Sequence, residues 1–269
     1  MTIRLLTHTT NQKASELPSG GNLRDFSGPE PAYADAMTPI DLNADLGEEV
    51  TDDAGLLAVV TSANVACGYH AGTPAVMRAV CADAVRRGVA VGAQVSYDDR
   101  ENFGRVELEV AAGTLREQVA DQVGTLDAIA RAEGTRVVYL KPHGALYHRV
   151  ARDPDQARAV LAGSGGLPVL GMPGSLLLDL ARADGRRVVQ EGFPDRGYTA
   201  EGGLLPRDQP GAVLEDSGEI ARRAVELAGS VDSLCVHGDT PGAVAHARAV
   251  RAALEADGHV LTAPWLSTG

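Results

Sequence analysis

Cysteine is scarce in this chain, which has three residues of this type, at positions 67, 81 and 235, and no C-x-x-C pair. So few and so scattered thiols argue against a disulfide framework and favour a reducing compartment, so we predict a cytoplasmic protein. No stretch approaches the ~18 consecutive apolar residues of a membrane-spanning helix. The N-terminus also lacks the apolar core of a signal peptide, and we therefore expect no membrane partner.

Positive charge is also in short supply, with 24 basic against 36 acidic residues and a net charge of −12. Binding to nucleic acid needs a basic face, so a nucleic-acid partner is not expected. The sequence contains no G-x-G-x-x-G, no phosphate-binding G-x-x-x-x-G-K-[ST] and no G-x-S-x-G nucleophile elbow. We therefore predict no organic prosthetic group, and serine-type nucleophilic catalysis has little support.

Lysine is the rarest cation, with two residues against 22 arginines. Lys13 lies in a polar leader, and Lys141 stands alone between an apolar run and His143. Drift in composition toward arginine is one explanation. The other is function, because lysine is a compact charge with a shiftable pKa that arginine does not replace.

The order of segments predicts an α/β fold. Residues 1–36 are polar and aperiodic, typical of a disordered leader, and residues 37–269 form a single catalytic domain. Strand-like runs are found at 40–43, 62–67, 89–95, 136–140, 167–171, 187–191 and 233–236. Helical segments lie between them, at 52–60, 74–87, 111–133, 154–163, 174–184, 216–228 and 241–257. Seven alternations predict a parallel sheet, and a closed, seven-stranded β/α barrel resembling TIM fits better than an open doubly wound sheet.

Two of these helices are predicted to begin with the same device. A threonine precedes a proline at Thr73-Pro74 and at Thr240-Pro241, which places a capping hydroxyl before a proline in the first helical position. Glycines at 88, 134, 185 and 258 are predicted to end helices.

Histidines follow three of the apolar runs. His70, His143 and His237 each come just after a predicted strand, where α/β folds collect catalytic groups. A lone histidine in a loop is usually a solvated bystander, but three in matching positions favour function. His70 and His237 also precede the two capped helices, so an anion is expected between their loops.

The first strand carries three acidic or amide side chains on one side. Alternation places Asp41, Asn43 and Asp45 together, which is unusual for an apolar barrel interior. The alternative is a strand end that merges into a polar loop. Asp45 with the histidines suits zinc or a similar ion, although no H-x-x-H supports a metal site.

Two long loops are candidates for lids. One follows the third strand and contains Arg100 and Arg105, and the other begins at Asp195 and Arg196. Glu191 lies at the end of the sixth strand, in a position like that of the histidines. Solvated surface loops are the alternative.

Six blocks of the chain resemble the LamB/YcsF family, in the family's order and over residues 40 to about 260. They are DLNADLGE (41–48), SANVACGYHAG (62–72), DRENFGR (99–105), KPHGALY (141–147), DRGY (195–198) and CVHGD (235–239). The resemblance implies a seven-stranded β/α barrel similar to the carbohydrate deacetylases. It further implies that the lactam ring of 5-oxoproline is opened to give glutamate, driven by the hydrolysis of ATP bound with Mg. It also implies 5-oxoprolinase subunits B and C as partners.

One position departs from the family pattern. The third strand of the family looks like Gly-Ala-His-Pro-Ser, whereas this chain has Gln94 and Val95. Glutamine neither titrates nor binds metal well. If the family histidine binds metal or moves protons, this chain is impaired or has another substrate. If that histidine only orients the substrate, Gln94 is expected to suffice.

These patterns give a candidate site. The catalytic candidates are Asp45, His70, Lys141, His143, Glu191, His237 and Asp239. The substrate-binding candidates are Asn43, Gln94, Arg100, Arg105, Asp195 and Arg196. Lys141 and the helix starts at Thr73 or Thr240 are predicted to stabilise an anion, Asp45 and His143 to act as base and orienter, and Arg100 and Arg196 to clamp a carboxylate. A bound divalent metal would be held first by Asp45 and His70. A metal-dependent amide hydrolase and a non-catalytic scaffold subunit remain the alternatives.

Overall fold

The computed structural model describes residues 38–50, 52–200, 202–240 and 242–265. In these residues the strands are β1 (Thr38–Leu46), β2 (Ser62–Ala66), β3 (Ala90–Val95), β4 (Val137–Pro142), β5 (Val169–Gly171), β6 (Val188–Gly192), β7 (Ser233–Val236) and β8 (His259–Leu261). The helices are α1 (Asp53–Leu57), α2 (Pro74–Arg87), α3 (Ala112–Ala132), α4 (Gly144–Val150), α5 (Pro154–Gly163), α6 (Leu176–Ala183), α7 (Ser217–Ala228) and α8 (Ala243–Ala256). The predicted leader at 1–36 lies outside the described residues. Within them, none of the helices combines the length and apolarity needed to cross a bilayer.

Strand β1 closes the barrel. It pairs with β2, where Asn43 is opposite Ser62, and with β7, where Asp41 is opposite Ser233. Strands β2 to β7 follow in sequence order, and every ladder is parallel. The predicted seven-stranded β/α barrel is therefore confirmed, and the carboxyl ends of its strands share one rim, where such barrels carry their sites.

Two elements were not predicted from the sequence. Strand β8 has three residues, too few for a periodic signal, and it exists through its pairing with the first residues of β1. Helix α4 begins directly after His143 with Gly144, whose φ of +58° does not suggest a helix start. A Cβ at Gly144 would lie 2.3 Å from the carbonyl oxygen of Gly104, so glycine allows the loop after β3 to pack here.

The first predicted helix cap is confirmed, and the second is wrong. The Thr73 hydroxyl accepts a hydrogen bond from Val76 N at 3.3 Å, and Gly88 ends α2 in the left-handed conformation. Helix α8 instead begins at Ala243 after Gly242, whose φ is +86°, and no side chain caps it. The left-handed glycine interrupts the chain after Thr240, so that hydroxyl does not mark a helix start.

The barrel interior is polar, as the alternation along β1 indicates. Asp41 accepts hydrogen bonds from Thr61, Ser62 and Ser233 at 2.5–2.7 Å. Burial raises the pKa of Asp41 to about 6 in spite of these three hydroxyl donors. The opposite face of β1, with Leu42, Ala44 and Leu46, packs in the apolar layer between strands and helices.

Candidate active site

Lys141 is the centre of a buried ionic group at the rim. Its Nζ lies 3.2 Å from Asp45 Oδ1, 3.0 Å from Glu191 Oε2 and 3.1 Å from Cys235 Sγ. These four side chains come from β1, β4, β6 and β7, which converge because the barrel is closed. Burial alone would lower the pKa of Lys141, but the surrounding acidic groups, Asp45 first, raise it well above its ordinary value. The ammonium is therefore charged.

The two carboxyl groups beside Lys141 differ in acidity. Burial is the largest single effect and favours the neutral form of Asp45, but the charge of Lys141 and smaller contributions from the nearby histidines and Asn64 together lower its pKa. For Glu191 burial is the larger effect, and its pKa is raised although Lys141 opposes the shift. Asp45 is thus the firmly ionised partner of the ammonium.

His237 is oriented by Asp195. The imidazole Nδ1 lies 3.0 Å from Asp195 Oδ2, which also accepts a hydrogen bond from His237 N at 2.9 Å. Burial would raise the pKa of Asp195, but His237 and the backbone donor outweigh it and lower the pKa. Because an ionised carboxylate only accepts, Nδ1 carries a proton in this contact, and Nε2 is the ring nitrogen that faces away from Asp195. The ring stacks on Phe193 at 5.3 Å.

A second buried group lies around His143. Gln94 Nε2 is 2.9 Å from both Glu48 Oε1 and His143 Nδ1, and His143 Nε2 is 3.1 Å from the carbonyl oxygen of Phe103. The amide donates to Nδ1, so the proton of His143 is on Nε2. Burial and the neighbouring His70, stacked at 3.9 Å, lower the pKa of His143 well below its ordinary value. His143 is therefore neutral.

Two trios of side chains have the spacing of metal ligands. In each, one ligand atom per residue lies within 4.8 Å of the others. The first trio is Asp45, Cys235 and His237, but Lys141 already places its positive charge against the first two. The second trio is Glu48, His70 and His143.

The second trio is the better fit for an ion, in which case the metal would replace the Gln94 amide at His143 Nδ1. His70 Nε2 is buried without a hydrogen-bond partner and faces Glu48 Oε1 at 3.5 Å, so one nitrogen is free to bind a metal. The expected first ligands, Asp45 and His70, belong to different trios. The structure therefore does not bring Asp45 and His70 together at one ion, and His70 lies with Glu48 and His143 instead.

A cavity of about 410 Å³ opens beside Lys141. Its charged and polar lining consists of Asp45, Arg105, Lys141, His143, Tyr147, His148, Arg152, Arg196, Arg207 and His237. Phe193, Leu204, Leu205 and Pro206 add an apolar wall. Basic groups thus dominate the lining of this acidic protein, which favours a small anionic ligand.

Comparison with known proteins settles the family. The sequence profile of the LamB/YcsF family matches residues 40–266. This chain belongs to the LamB/YcsF family. It is 54% identical over 242 residues to a 5-oxoprolinase subunit from Streptomyces avermitilis, and the match covers 81% of this chain and 97% of that protein. The subunit of the same name from Mycobacterium avium is 50% identical over 245 residues, with coverage of 82% and 97%.

Solved structures agree with this assignment. A "Lactam Utilization Protein" from Thermus thermophilus has a TM-score of 0.78 at 38% identity and covers 84% of this chain and all of that one. A family 4 carbohydrate esterase from Streptomyces lividans has a TM-score of 0.50 at 12% identity, covering 83% and 91%. The latter likeness concerns the fold alone, and at that level it agrees with the expected barrel.

Six of the predicted site residues of this LamB/YcsF protein line the cavity: Asp45, Arg105, Lys141, His143, Arg196 and His237. Glu191 and Asp195 lie behind this wall and hold Lys141 and His237. His70 and Gln94 belong to the group around His143. The predicted pairing of Asp45 with His143 as base and orienter is not found, because both ring nitrogens of His143 have other partners.

Arg100 and Arg196 do not form the predicted clamp. Arg100 donates to the carbonyl oxygens of Gly68 and Gly72, which fixes the His70 loop away from the cavity. Arg196 is buried at the cavity wall, and its guanidinium donates to the carbonyl oxygens of Ala212 and Leu205. It therefore holds the loop after β6 together.

Asn43 and Asp239 do not face the cavity. Asn43 lies within the barrel, where it donates to Ser233 Oγ and accepts from Asn64 Nδ2, both at 2.7 Å. Asp239 forms ion pairs with Arg105 and Arg207. The predicted anion site between the His70 and His237 loops is also absent from the described residues, because the two rings belong to separate groups.

Several site residues were missed by sequence reasoning. Cys235 lies two positions before His237, and alternation along β7 was the signal that could have found it. Tyr147 and His148 are on α4, the helix that was not predicted because it begins with Gly144. Glu48 follows β1 in a matching block, but its link to His143 through Gln94 exists only in three dimensions.

Proposed function

We propose that this chain is the lactam-opening subunit of an ATP-dependent 5-oxoprolinase, which converts 5-oxo-L-proline to L-glutamate. The observation that carries the proposal is the charged Lys141, buried between two carboxyl groups and next to an oriented histidine in a cavity for a small anion. Relatives with about half of their residues identical are named as a subunit of 5-oxoprolinase. A multi-subunit enzyme is therefore expected, with subunits B and C as partners.

The chemistry explains why ATP is needed. A five-membered lactam is a stable amide, and transfer of the γ-phosphoryl group of ATP to its oxygen releases ADP and activates the carbon. One water then adds to that carbon, the C–N bond breaks, and the ring nitrogen takes a proton, which leaves an acyl phosphate. A second water releases inorganic phosphate and gives the new carboxylate.

The residues at the cavity supply the groups that these steps require. His237, oriented by Asp195, accepts a proton from the attacking water through Nε2 and returns it to the departing nitrogen. Lys141 stabilises the negative charge that develops on oxygen. Asp45 and Glu191 act through Lys141 and are positioning residues, and Asp45 also faces the cavity.

The test is hydrolysis of ATP that depends on 5-oxoproline, measured with this chain alone, with subunits B and C alone, and with all three. We expect formation of glutamate and of ADP in equal amounts only when this chain is present. The same assay is run with the Asp195→Asn variant of this chain, which keeps Lys141 and should have a lower turnover. Equal rates with and without this chain would overturn the proposal.

The free, buried thiols also support a cytoplasmic location.

One observation favours a second function, a metal-dependent amide hydrolase that works without ATP. It is the Glu48, His70 and His143 trio with its free ring nitrogen. If present, a divalent ion held there would polarise an amide oxygen or activate water. Metal content after purification, compared between the native chain and His70→Gln, tests this candidate. One equivalent of zinc or manganese that is lost in the variant, with lactam hydrolysis in the absence of ATP, would favour it.

A further inference from the structure

Basic side chains converge at the cavity from three segments of the chain. His148 comes from α4, Arg152 from the turn that follows it, and Arg207 from the loop after β6. None of these residues was predicted to be functional. Their convergence needs an explanation, because like charges repel and the protein as a whole is acidic.

The neighbouring acids neutralise these cations only in part. Arg152 pairs with Glu107, a half-exposed residue that also binds Arg149, and Arg207 pairs with Asp239 at 3.3 Å. A guanidinium has five N–H donors, so each arginine keeps donors for a ligand.

The pKa of His148 reflects the electrostatic potential that remains after these ion pairs. Burial lowers its pKa, and the charges of Arg196, Arg152 and Arg207 lower it further, while the opposing effect of Glu107 is smaller than any of these. Arg196 already donates to backbone carbonyl oxygens, so Arg152 and Arg207 are the two arginines that keep N–H groups for a ligand. The position is thus electropositive although acidic residues lie nearby.

We propose that Arg152, Arg207 and His148 form a subsite for a phosphoryl group carried by a small ligand. The inference rests on the proposed function, in which a phosphorylated lactam is formed and then opened. A phosphoryl group has up to two negative charges and three acceptor oxygens, and it matches several donors from separate segments. A single carboxylate needs only one bidentate arginine. The lactam ring then lies toward Lys141 and His237, within the same cavity.

The probe is inorganic phosphate, titrated into the purified full-length chain by calorimetry. We expect binding in the native chain and at least a tenfold weaker affinity in the Arg152→Gln/Arg207→Gln double variant. Arg182→Gln is the matched control, because Arg182 is on α6, pairs with Asp179 and is not part of the cavity lining. Its affinity for phosphate should equal that of the native chain.

A second measurement locates the bound phosphate. In NMR titrations, phosphate should raise the pKa of His148 in the native chain and in Arg182→Gln, but not in the double variant. His148→Gln, which retains both arginines, should bind phosphate with intermediate affinity. Phosphate binding of equal strength in the native chain and the double variant, or no binding at millimolar phosphate, would overturn the proposal.

ATP distinguishes the two sources of a phosphoryl group. If ATP binds this chain more tightly than phosphate and loses that advantage in the double variant, the subsite holds the γ-phosphate of the nucleotide. If ATP binds no more tightly than phosphate, the group is already on the lactam when it arrives. These titrations need neither partner subunits nor turnover. If the native chain binds phosphate as expected but the assembled enzyme does not turn over 5-oxoproline, the proposed function is refuted and the subsite is not.

Discussion

Lys141 Nζ lies 3.2 Å from Asp45 Oδ1, with both side chains less than a tenth exposed. An isolated charge at such depth is unstable, and each of the two is retained by the other. The chain has one other lysine, at position 13, which lies outside the described residues. The ammonium at 141 is therefore held by its surroundings and is available to an anion in the cavity.

Replacement of Lys141 by Met should remove activity and stability together. We expect turnover of the assembled enzyme to fall about 10²–10³-fold, because charge stabilisation at the cavity is lost. The free energy of unfolding should fall by about 3–5 kcal/mol at pH 7, since Asp45 and Glu191 lose their counter-charge. Urea unfolding measures this loss. Addition of Glu191→Gln should recover part of it, and no recovery in the double variant would contradict the ion-pair explanation.

Asp195→Asn should change the tautomer of His237. Asparagine can keep the hydrogen bond from His237 N but presents an NH₂ group to Nδ1, so the ring proton moves to Nε2 and the base is lost. We expect turnover to fall about 10²–10⁴-fold with little change in KM for 5-oxoproline. Nitrogen NMR of the imidazole reads the tautomer directly. An unchanged tautomer with lost activity would show that Asp195 acts in another way.

Gln94 should stabilise the protein through its two donated hydrogen bonds. In Gln94→Leu, Glu48 Oε1 and His143 Nδ1 lose a buried partner, and we expect the free energy of unfolding to fall by about 1–3 kcal/mol. Gln190→Leu, at a half-buried position on β6, is the control and should change stability by less. Equal effects of the two substitutions in urea unfolding would argue against the bonds from Gln94.

Asp41 should make stability depend on pH. Its folded-state pKa of about 6 is above the ordinary value of 3.8, so the folded protein holds the proton more tightly than the unfolded chain. Its contribution is therefore complete below pH 3.8 and is lost as the pH rises through 6. In Asp41→Asn this loss is absent, so the variant should gain up to about 3 kcal/mol relative to the native chain between about pH 4 and 7.

Urea unfolding across this pH range checks the prediction, and Asp179→Asn at an exposed helix position is the control. The three hydroxyl bonds to Asp41 change in the variant at every pH, so the slope is the informative quantity. Parallel curves for the native chain and Asp41→Asn would contradict the prediction.

Two glycines should respond in opposite ways to alanine. At Gly144 the φ is +58° and a Cβ would meet the Gly104 carbonyl oxygen, so Gly144→Ala should cost at least about 2 kcal/mol of stability. At Gly124, a position within α3, a Cβ would have no atom within 4 Å, and Gly124→Ala should stabilise by about 0.5–1 kcal/mol. Thermal unfolding measures both, and shifts of the same sign would contradict the prediction.

The sequence was informative where local signals and the barrel topology agree. The Thr73-Pro74 pair and Gly88 define both ends of α2, and alternation along β1 predicts that Asp41, Asn43 and Asp45 share one side. The family assignment from six blocks is confirmed. Position at a strand end also indicated that Lys141 and His237 would lie at the same rim, and both line the cavity.

The remaining errors concern long-range partners that no local pattern encodes. Arg100 and Arg196 look like free clamps until backbone carbonyls from other segments take up their donors. Asn43 looked available because its partner Ser233 is 190 positions away. The grouping of His70 with Glu48 depends likewise on Gln94, which comes from a third strand.

The pairing of β1 with β7 also determines when the barrel can close during synthesis. The ribosome delivers β1 before the other described strands, yet one of its edges finds its partner only when β7 has been synthesised. Until then the acidic face of β1 lacks Ser233 and Cys235, and there is no enclosed space in which Lys141 can meet a substrate. Competence is consequently gained in a single late event, and a nascent chain stopped before β7 has no partial catalyst to offer.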